Sequence, residues 1–449
     1  MDLYQGSADL EAKWNGAVRW DGKGSLDVTD QTKLRAAAID ELAYNSVFNE
    51  DPATVEVARS LIRGAAAALG VKTASIKRLY DARGRGEIGG FTVPAINIRG
   101  LTYDVARAAF RVAKRTDAAA MVFELARSEI GYTFQRPAEY ASCVLAAAIR
   151  EGFEGPLFLQ GDHYQVNAAK FADAKAKEPE LQAIRDLIAE AITAGVYNID
   201  IDSSTLVDLS KRTVEEQQRN NYAVCAQLTK CIRERQPAGV TISIGGEVGE
   251  VGTKNSTVED LDEFMTGYRR ALGGSVEGLS KIAVQTGTTH GGIPLTGGGV
   301  ATVNLDFKAL EKLSRVAREK YALAGAVQHG ASTLPSSLFG SFPKIETAEI
   351  HLATQLQNIV FDHSAFPEDL RRKMSAWCRE NRRIDWKEGD TETQFLYRTR
   401  KRTWGPFKEQ LWNLDDKQTI MADVEAELEF LWKQLKVVGT RELVEKYTT

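Results

Sequence analysis

Residues 156–161 have the sequence PLFLQG, an apolar run of strand length that is followed directly by Asp162 and His163. Seven further runs of similar length occur along the chain. They are FTVPAINI (91–98), AAMVFEL (119–125), YNIDID (197–202), VTISIGG (240–246), KIAVQTG (281–287), AGAVQHG (324–330) and AEIHLAT (348–354). Most of these runs are continuously apolar rather than alternating, which is typical of strands that are covered on both faces.

Segments with helical patterns lie between these runs, at residues 103–114, 179–194, 214–235 and 305–321. A strand and a helix repeated eight times predict an α/β fold, a (β/α)8 TIM barrel that occupies residues 89–362. An open doubly wound sheet is the alternative, because it has the same order of elements up to the sixth strand.

Both ends of the chain, residues 1–88 and 363–449, are predicted to be helical extensions of this barrel. In the first, Asp51 and Pro52 have the types expected of an N-cap and a first helical residue, and Gly70 ends the helical pattern. All seven tryptophans lie outside the middle of the chain. Those near the C-terminus suit either a subunit interface or packing of the extension on its own barrel.

The composition excludes several classes of protein. At 449 residues, with 43% hydrophobic and 26% charged side chains, the chain can bury a core of barrel size. Its net charge of −4 offers no positive excess for nucleic acid. Four cysteines without a CxxC pair argue against a disulfide framework, and no run of eighteen apolar residues suggests a membrane span. We therefore expect a cytoplasmic protein with neither nucleic acid nor membrane as a partner.

Four of the five histidines, His163, His290, His329 and His351, stand at or near the ends of strand-like runs. Because the carboxyl ends of barrel strands meet at the active-site face, these side chains are expected to converge. A single histidine at such a place would more often be an ordinary hydrogen-bonded residue. Several at equivalent positions favour a catalytic site for Zn²⁺ or another divalent ion, built from three imidazoles.

Carboxylates accompany these histidines. Asp162 precedes His163 directly, so one strand end delivers an acid/base group beside a metal ligand, a pairing that suits carbonyl chemistry. Asp202 ends the fourth run and Glu247 follows the fifth. Both acids are candidates to orient the imidazoles or to hold a second cation, and helix capping or a loop salt bridge is the alternative for each.

Small-residue turns follow two of the histidines, at His290-Gly291-Gly292 and at His329-Gly330-Ala331-Ser332. Their backbone N–H groups, with those of Ala353 and Thr354 after the last run, predict a phosphate site at the final strands of the barrel.

Over about residues 75–362 the chain resembles the class II (zinc-dependent) fructose-bisphosphate and tagatose-bisphosphate aldolases. The segments that carry the resemblance follow the order of the family's motifs. They are VPAINI (93–98), GDHYQ (161–165), IDIDSSTL (199–206), GGEVGEVG (245–252), TGTTHGG (286–292), VQHGAS (327–332) and HLATQL (351–356).

The resemblance implies a lyase of carbohydrate metabolism, as in glycolysis, that cleaves or forms a ketose (bis)phosphate through a zinc-bound enediolate. It also implies a homo-oligomer. Asp162 is the implied proton donor and acceptor. The implied metal site consists of His163, His290 and His329 with Glu247 and Asp202 beside them. The implied substrate and phosphate contacts are Asn97, Gly291, Gly330, Ser332, Ala353 and Thr354.

The chain also departs from the family. His351 replaces an asparagine that contacts the ketose, and the loop that supplies the enolising base is replaced by EVGTKN (250–255), with Glu250 as a substitute. These changes favour, as an alternative, a retro-aldol epimerase that remakes the same bond. A non-catalytic aldolase-like subunit is a further alternative, which the retained histidines and Asp162 argue against.

The densest positive segment is RTRKRTW (398–404). Family members use a basic side chain near the C-terminus, from a neighbouring subunit, on the distal phosphate. We expect this segment to form a solvated helical face, with the phosphate role as the alternative.

Overall fold

The computed structural model of the chain describes residues 1–14, 16–20, 26–249, 254–287 and 305–448. The strands in these residues are β1 (Val18–Trp20), β2 (Leu26–Val28), β3 (Val71–Thr73), β4 (Val93–Asn97), β5 (Val122–Ala126), β6 (Gly155–Gln165), β7 (Asn198–Asp202), β8 (Ser243–Glu247), β9 (Lys281–Val284), β10 (Ala326–Gln328) and β11 (Glu349–Leu352). Strands β4 to β11 are parallel, and β4 pairs with both β5 and β11. The sheet is therefore a closed eight-stranded barrel, which confirms the predicted fold and excludes the open sheet.

Helices cover the outside of the barrel and form much of both extensions. They are α1 (Ser7–Trp14), α2 (Gln31–Lys33), α3 (Ile39–Phe48), α4 (Pro52–Ala68), α5 (Lys77–Gly84), α6 (Thr102–Thr116), α7 (Arg127–Thr133), α8 (Pro137–Glu151), α9 (Ala168–Ala172), α10 (Lys177–Thr193), α11 (Val214–Arg235), α12 (Val258–Leu272), α13 (Phe307–Tyr321), α14 (Thr354–Asp362), α15 (Glu368–Asn381), α16 (Glu392–Thr399), α17 (Lys408–Trp412), α18 (Lys417–Gln434) and α19 (Arg441–Thr448). In this set, α6, α10, α11 and α13 match the four predicted helices. No helix of the described ranges combines the length and the apolar character needed to cross a bilayer.

Local sequence signals explain where several helices begin. Asp51 accepts hydrogen bonds from the backbone N–H groups at the start of α4, as predicted. Thr213 and Thr257 begin α11 and α12 with reciprocal capping boxes, in which an acid three residues later binds the N–H of the capping residue. These caps determine where the helices after β7 and β8 start, and so how the chain leaves the barrel at those strands.

The sequence predicts a helical N-terminal extension, but the extension also contains three short strands, β1 to β3. Its short strands β1 and β2 form an antiparallel hairpin. Its third strand, β3, pairs in parallel with residues 155–157 of β6, outside the barrel. This pairing is available because β6 spans eleven residues, and only its later part is needed for the barrel.

The C-terminal extension packs on its own barrel, one of the two arrangements considered for its tryptophans. Trp404, Trp412 and Trp432 are all buried within the chain. The Trp404 ring lies directly on Gly100, just after β4, where a Cβ atom would sit 1.9 Å from a ring carbon. A glycine at this position is therefore what allows the extension to approach the barrel.

Candidate active site

The candidate site lies at the barrel mouth, the end of the barrel at which its strands finish. Asp162 and His163 are adjacent in β6, and adjacent strand residues normally point to opposite faces. Here the pairing of β6 with β7 shifts register between Gly161 and Tyr164, and His163 has a φ of 41°. Both side chains consequently line the same cavity. A β-bulge thus brings the acid and the imidazole together.

Three imidazoles meet at this mouth, from β6, from the end of β10 and from β11. The ring centroid of His329 lies 4.2 Å from that of His163 and 4.3 Å from that of His351. The predicted convergence of these histidines therefore occurs. The predicted ligand His290, the predicted base Glu250 and the predicted phosphate contact Gly291 lie outside the described residues.

Two carboxylates orient the imidazoles. The Oδ2 atom of Asp202 is 2.9 Å from Nδ1 of His163. Glu247 reaches both rings, with its Oε2 3.4 Å from Nδ1 of His163 and its Oε1 3.6 Å from Nδ1 of His329. Such carboxylate–imidazole contacts select the tautomer of a metal-ligating histidine. The geometry suits the orienting role predicted for Asp202 and Glu247.

The donor atoms present fit a divalent ion. Asp162, His163 and His329 can each offer one ligand atom such that the three atoms lie within 4.8 Å of one another, and His163, Asp202 and Glu247 can do the same. Imidazole nitrogens with carboxylate oxygens are a donor set that Zn²⁺ accepts. Asp162, predicted only as a proton-transfer group, also lies among the potential ligands.

The pKa values of His163, His329 and Asp162 are shifted in different directions by their surroundings. Burial alone lowers the pKa of His163, but the Asp162 and Glu247 carboxylates raise it well above the usual range. Burial and two neighbouring imidazoles hold the pKa of His329 well below the usual range, which keeps that ring neutral and able to ligate. Burial alone raises the pKa of Asp162, but the imidazoles of His163 and His351 hold it well below its usual value. Asp162 is therefore ionised.

His351 lies at the mouth and is not packed away from the other histidines. Its Nδ1 atom is 3.2 Å from Oδ1 of Asp162 and 3.2 Å from Oε1 of Glu124. Glu124, in β5, is fully buried, and burial together with the nearby Asp162 raises its pKa to about 7. Sequence reasoning missed Glu124, although an acid inside the apolar run AAMVFEL was a signal that could have found it.

Those predicted substrate and phosphate contacts that the structure describes line one cavity of about 710 Å³, together with Asp162 and His163. Gly330, Ser332, Ala353 and Thr354 form one side of it. The N–H group of Ala353 donates to the Ser332 hydroxyl at 2.8 Å, so it serves to position that hydroxyl. Asn97 lies deeper, where its Nδ2 atom is 3.4 Å from Oδ2 of Asp162, and there it orients the acid.

The opposite side of the cavity comes from the C-terminal extension of the same chain. We call residues 384–387 and 397–402 the C-terminal wall. Every residue of this wall except Arg400 lines the cavity. The segment 398–402 thus faces the cavity, and the expectation of a solvated helical face is wrong. Tight packing of Trp404 on Gly100 is what brings this segment over the mouth.

Three cations approach one another between this wall and β4. Arg99 is paired with Glu129 at 2.6 Å, whereas Lys401 and Arg402 form no ion pair with any described residue. The Arg402 guanidinium lies 4.8 Å from the centre of the Tyr132 ring. Burial, followed by the charges of Arg99 and Arg402, lowers the pKa of Lys401 to about 8. The wall therefore offers a positive surface to the contents of the cavity.

Comparisons with known proteins agree with this geometry. The model of the family described as fructose-bisphosphate aldolase class-II matches residues 79–402. A comparison with curated proteins gives no match.

Three solved structures resemble the chain. A fructuronate-tagaturonate epimerase from Cohnella laeviribosi is 13% identical, with a TM-score of 0.56 over 84% of this chain and 86% of that one. A probable tagatose 6 phosphate kinase from Sinorhizobium meliloti is 19% identical, with a TM-score of 0.53 over 79% and 93%. A fructose-bisphosphate aldolase from Campylobacter jejuni is 17% identical, with a TM-score of 0.49 over 82% and 97%. The family model matches well over half of the residues of the present chain, and the chain therefore belongs to the class II fructose-bisphosphate aldolase family.

Proposed function

We propose that this protein is a metal-dependent aldehyde-lyase that cleaves or forms the carbon–carbon bond of a ketose phosphate or bisphosphate. The observation that carries the proposal is the meeting of Asp162, His163 and His329 at the floor of a cavity that Asp162 and His163 line and whose other side is positively charged. A proton-transfer group, a metal donor set and an anion-attracting wall are what such a reaction requires.

His163 and His329 would hold the divalent ion, with His290 as the third ligand expected from the sequence. When bound, Zn²⁺ or a similar ion polarises a carbonyl oxygen of the substrate. Glu247 contacts both described imidazoles and Asp202 contacts one, so these acids keep the rings in place.

Asp162 carries the proton of the substrate hydroxyl next to the bond that breaks. Its low pKa means that it is ionised before the reaction, so it accepts that proton as the bond is cleaved and returns it in the direction of synthesis. The amide of Asn97, 3.4 Å away, holds the carboxylate toward the cavity.

The two sides of the cavity hold the two ends of the substrate. Ser332 and Thr354, with the backbone at Gly330, form the phosphate side predicted from the sequence. Lys401 and Arg402 of the C-terminal wall attract an anionic group at the other end, in the role that the family gives to a basic residue near the C-terminus.

Retro-aldol epimerisation is a second candidate, and His351 favours it. An imidazole can carry and release a proton, whereas the amide that the family has at this position cannot. Nδ1 of His351 lies 3.2 Å from Asp162, so two proton-carrying groups stand beside the reacting hydroxyl. An enzyme that remakes the bond on the other face of the carbonyl needs such a pair.

The test is to incubate the purified, metal-loaded protein with ketose phosphates, ketose bisphosphates and ketoses that end in a carboxylate. The last group is included because the similar Cohnella laeviribosi structure is that of a fructuronate-tagaturonate epimerase. Triose products support the lyase, and an epimeric ketose without trioses supports the epimerase. Metal-stripped protein is the control. If loaded and stripped protein both leave every substrate unchanged, the proposal fails and a non-catalytic subunit is favoured.

A further inference from the structure

Beneath the barrel mouth lies a second layer of inward-facing side chains, and this layer is charged. Its members are Gln160, Asp200, Lys281 and Glu349, which we call the lower layer. Three of them stand two residues before a residue of the mouth, as Glu349 stands before His351. Residues two apart on a strand face the same side, so both layers point into the barrel. Barrel interiors are usually filled with valine, isoleucine and leucine.

Lys281 holds the lower layer together. Its Nζ atom donates to Oδ2 of Asp200 at 2.9 Å, to Oε1 of Gln160 at 2.8 Å, and to Oε1 of Glu349. The side chain of Lys281 is only 1% exposed and that of Glu349 is not exposed at all. Apolar residues could fill this space without the cost of burying two charges.

Glu349 is held from several directions. Besides the ammonium of Lys281, its Oε1 atom accepts from Nε2 of Gln160 at 2.9 Å. Its Oε2 atom accepts from the hydroxyl of Tyr80, which reaches it from helix α5. Both oxygens are therefore held in place, and the carboxylate has little freedom to rotate.

The residue of the mouth that this fixed carboxylate touches is His351. Nε2 of His351 lies 2.7 Å from Oε1 of Glu349. Accepting the Nε2 hydrogen keeps that nitrogen turned inward, and Nδ1 then faces Asp162 and Glu124, each 3.2 Å away. Oδ2 of Asp200 is also near Nε2, at 3.8 Å, so the contact with Glu349 is the shorter of the two that hold this nitrogen inward.

We propose that Glu349 is a positioning residue that holds the His351 imidazole with Nδ1 toward the reacting hydroxyl, and that Lys281 fixes Glu349 in that role. The proposal rests on the function proposed above, in which the hydroxyl lies beside Asp162. It assigns a purpose to a buried ion pair that the fold alone does not require.

A double-mutant cycle tests the assignment. Glu349→Gln should lower kcat about 10-fold, as is typical when a group that orients a catalytic residue is lost, and should leave KM within about 2-fold. In the His351→Asn background the same substitution should change kcat by less than about 2-fold, because no imidazole remains to be positioned. An equal loss of kcat in both backgrounds would overturn the proposal.

Loss of the buried charge balance must be separated from loss of positioning. Lys281→Met alone should lower Tm, because it leaves the Glu349 and Asp200 carboxylates without their cation. Glu349→Gln combined with Lys281→Met should recover part of that Tm while kcat stays as low as in Glu349→Gln. Recovery of kcat together with Tm would reduce the pair to a structural role and overturn the proposal.

A substrate-independent measurement completes the test. Labelling histidine with ¹⁵N should give signals from five imidazoles, and the signals lost in His351→Asn are assigned to His351. They should report an Nε2–H group hydrogen-bonded to a carboxylate in the natural protein and a changed Nε2 signal in Glu349→Gln. Unchanged signals would overturn the proposal. If these signals change and yet no ketose is converted, the positioning of His351 is supported and the proposed function fails.

Discussion

The ring of strand ends at the barrel mouth and the C-terminal wall line the same cavity, but they are built in different ways. Asp162, His163 and His329 are placed by the register of the barrel strands and are held by Glu247 and Asp202. Lys401 and Arg402 belong to a segment that reaches the mouth because Trp404 packs on Gly100. We infer that the strand ends determine the chemistry and the wall determines which substrates bind. Substitutions in the two regions should therefore affect different kinetic constants.

Asp162→Ala should have the largest effect. Removal of the group that exchanges the hydroxyl proton should lower kcat by on the order of 10²–10⁴-fold. Steady-state kinetics of the variant, with its metal content measured by mass spectrometry, check this, and Asp162→Asn serves as the matched control of equal size. Near-natural turnover would contradict the assignment, and loss of metal together with activity would make Asp162 a ligand or a support for His163.

His329→Ala should weaken metal binding by about 10²-fold or more, since one of the imidazoles of the donor set is lost. The natural protein should hold about one divalent ion per chain under the same conditions. Equilibrium dialysis gives the affinity, and circular dichroism should show that the barrel still folds. Full metal occupancy in the variant would remove His329 from the ligand set.

Arg402→Ala tests the C-terminal wall. Loss of a cation that contacts an anionic group of the substrate should raise KM about 10-fold and change kcat little. Arg400→Ala is the matched control, because Arg400 pairs with Asp362 and Asn358 away from the cavity. A fall in kcat without a rise in KM would show that the C-terminal wall acts on the chemical step and not on substrate binding, contrary to the inference.

The smallest expected change is the rise of KM with pH. The pKa of Lys401 is lowered to about 8, so this side chain loses its charge as the pH rises through that value. It is protonated below pH 8, where it attracts an anion, and KM should therefore rise several-fold between about pH 7 and pH 9. Lys401→Arg stays charged and should abolish this rise. An equally steep rise in that variant would assign the titration to another group.

Much of the fold follows from local patterns. Each barrel strand overlaps one of the eight apolar runs, because burial on both faces leaves a mark on every stretch of sequence that forms such a strand. The convergence of His163, His329 and His351 was also predictable, because parallel barrel strands all finish at one end. The predicted roles of Glu250, His290 and Gly291 stay predictions.

From local patterns, then, came the barrel, the order of its strands along the chain and the strand ends proposed to carry the chemistry, because strand periodicity and helix caps depend on near neighbours. Tertiary structure alone decided three further matters. A register shift in β6 turned His163 toward the same cavity as Asp162. Packing of Trp404 on Gly100 brought the basic segment over the mouth. Closure of the barrel joined Lys281 and Glu349 beneath His351. Each of these contacts links residues whose proximity depends on register and packing between distant elements, and no local pattern of sequence records that proximity.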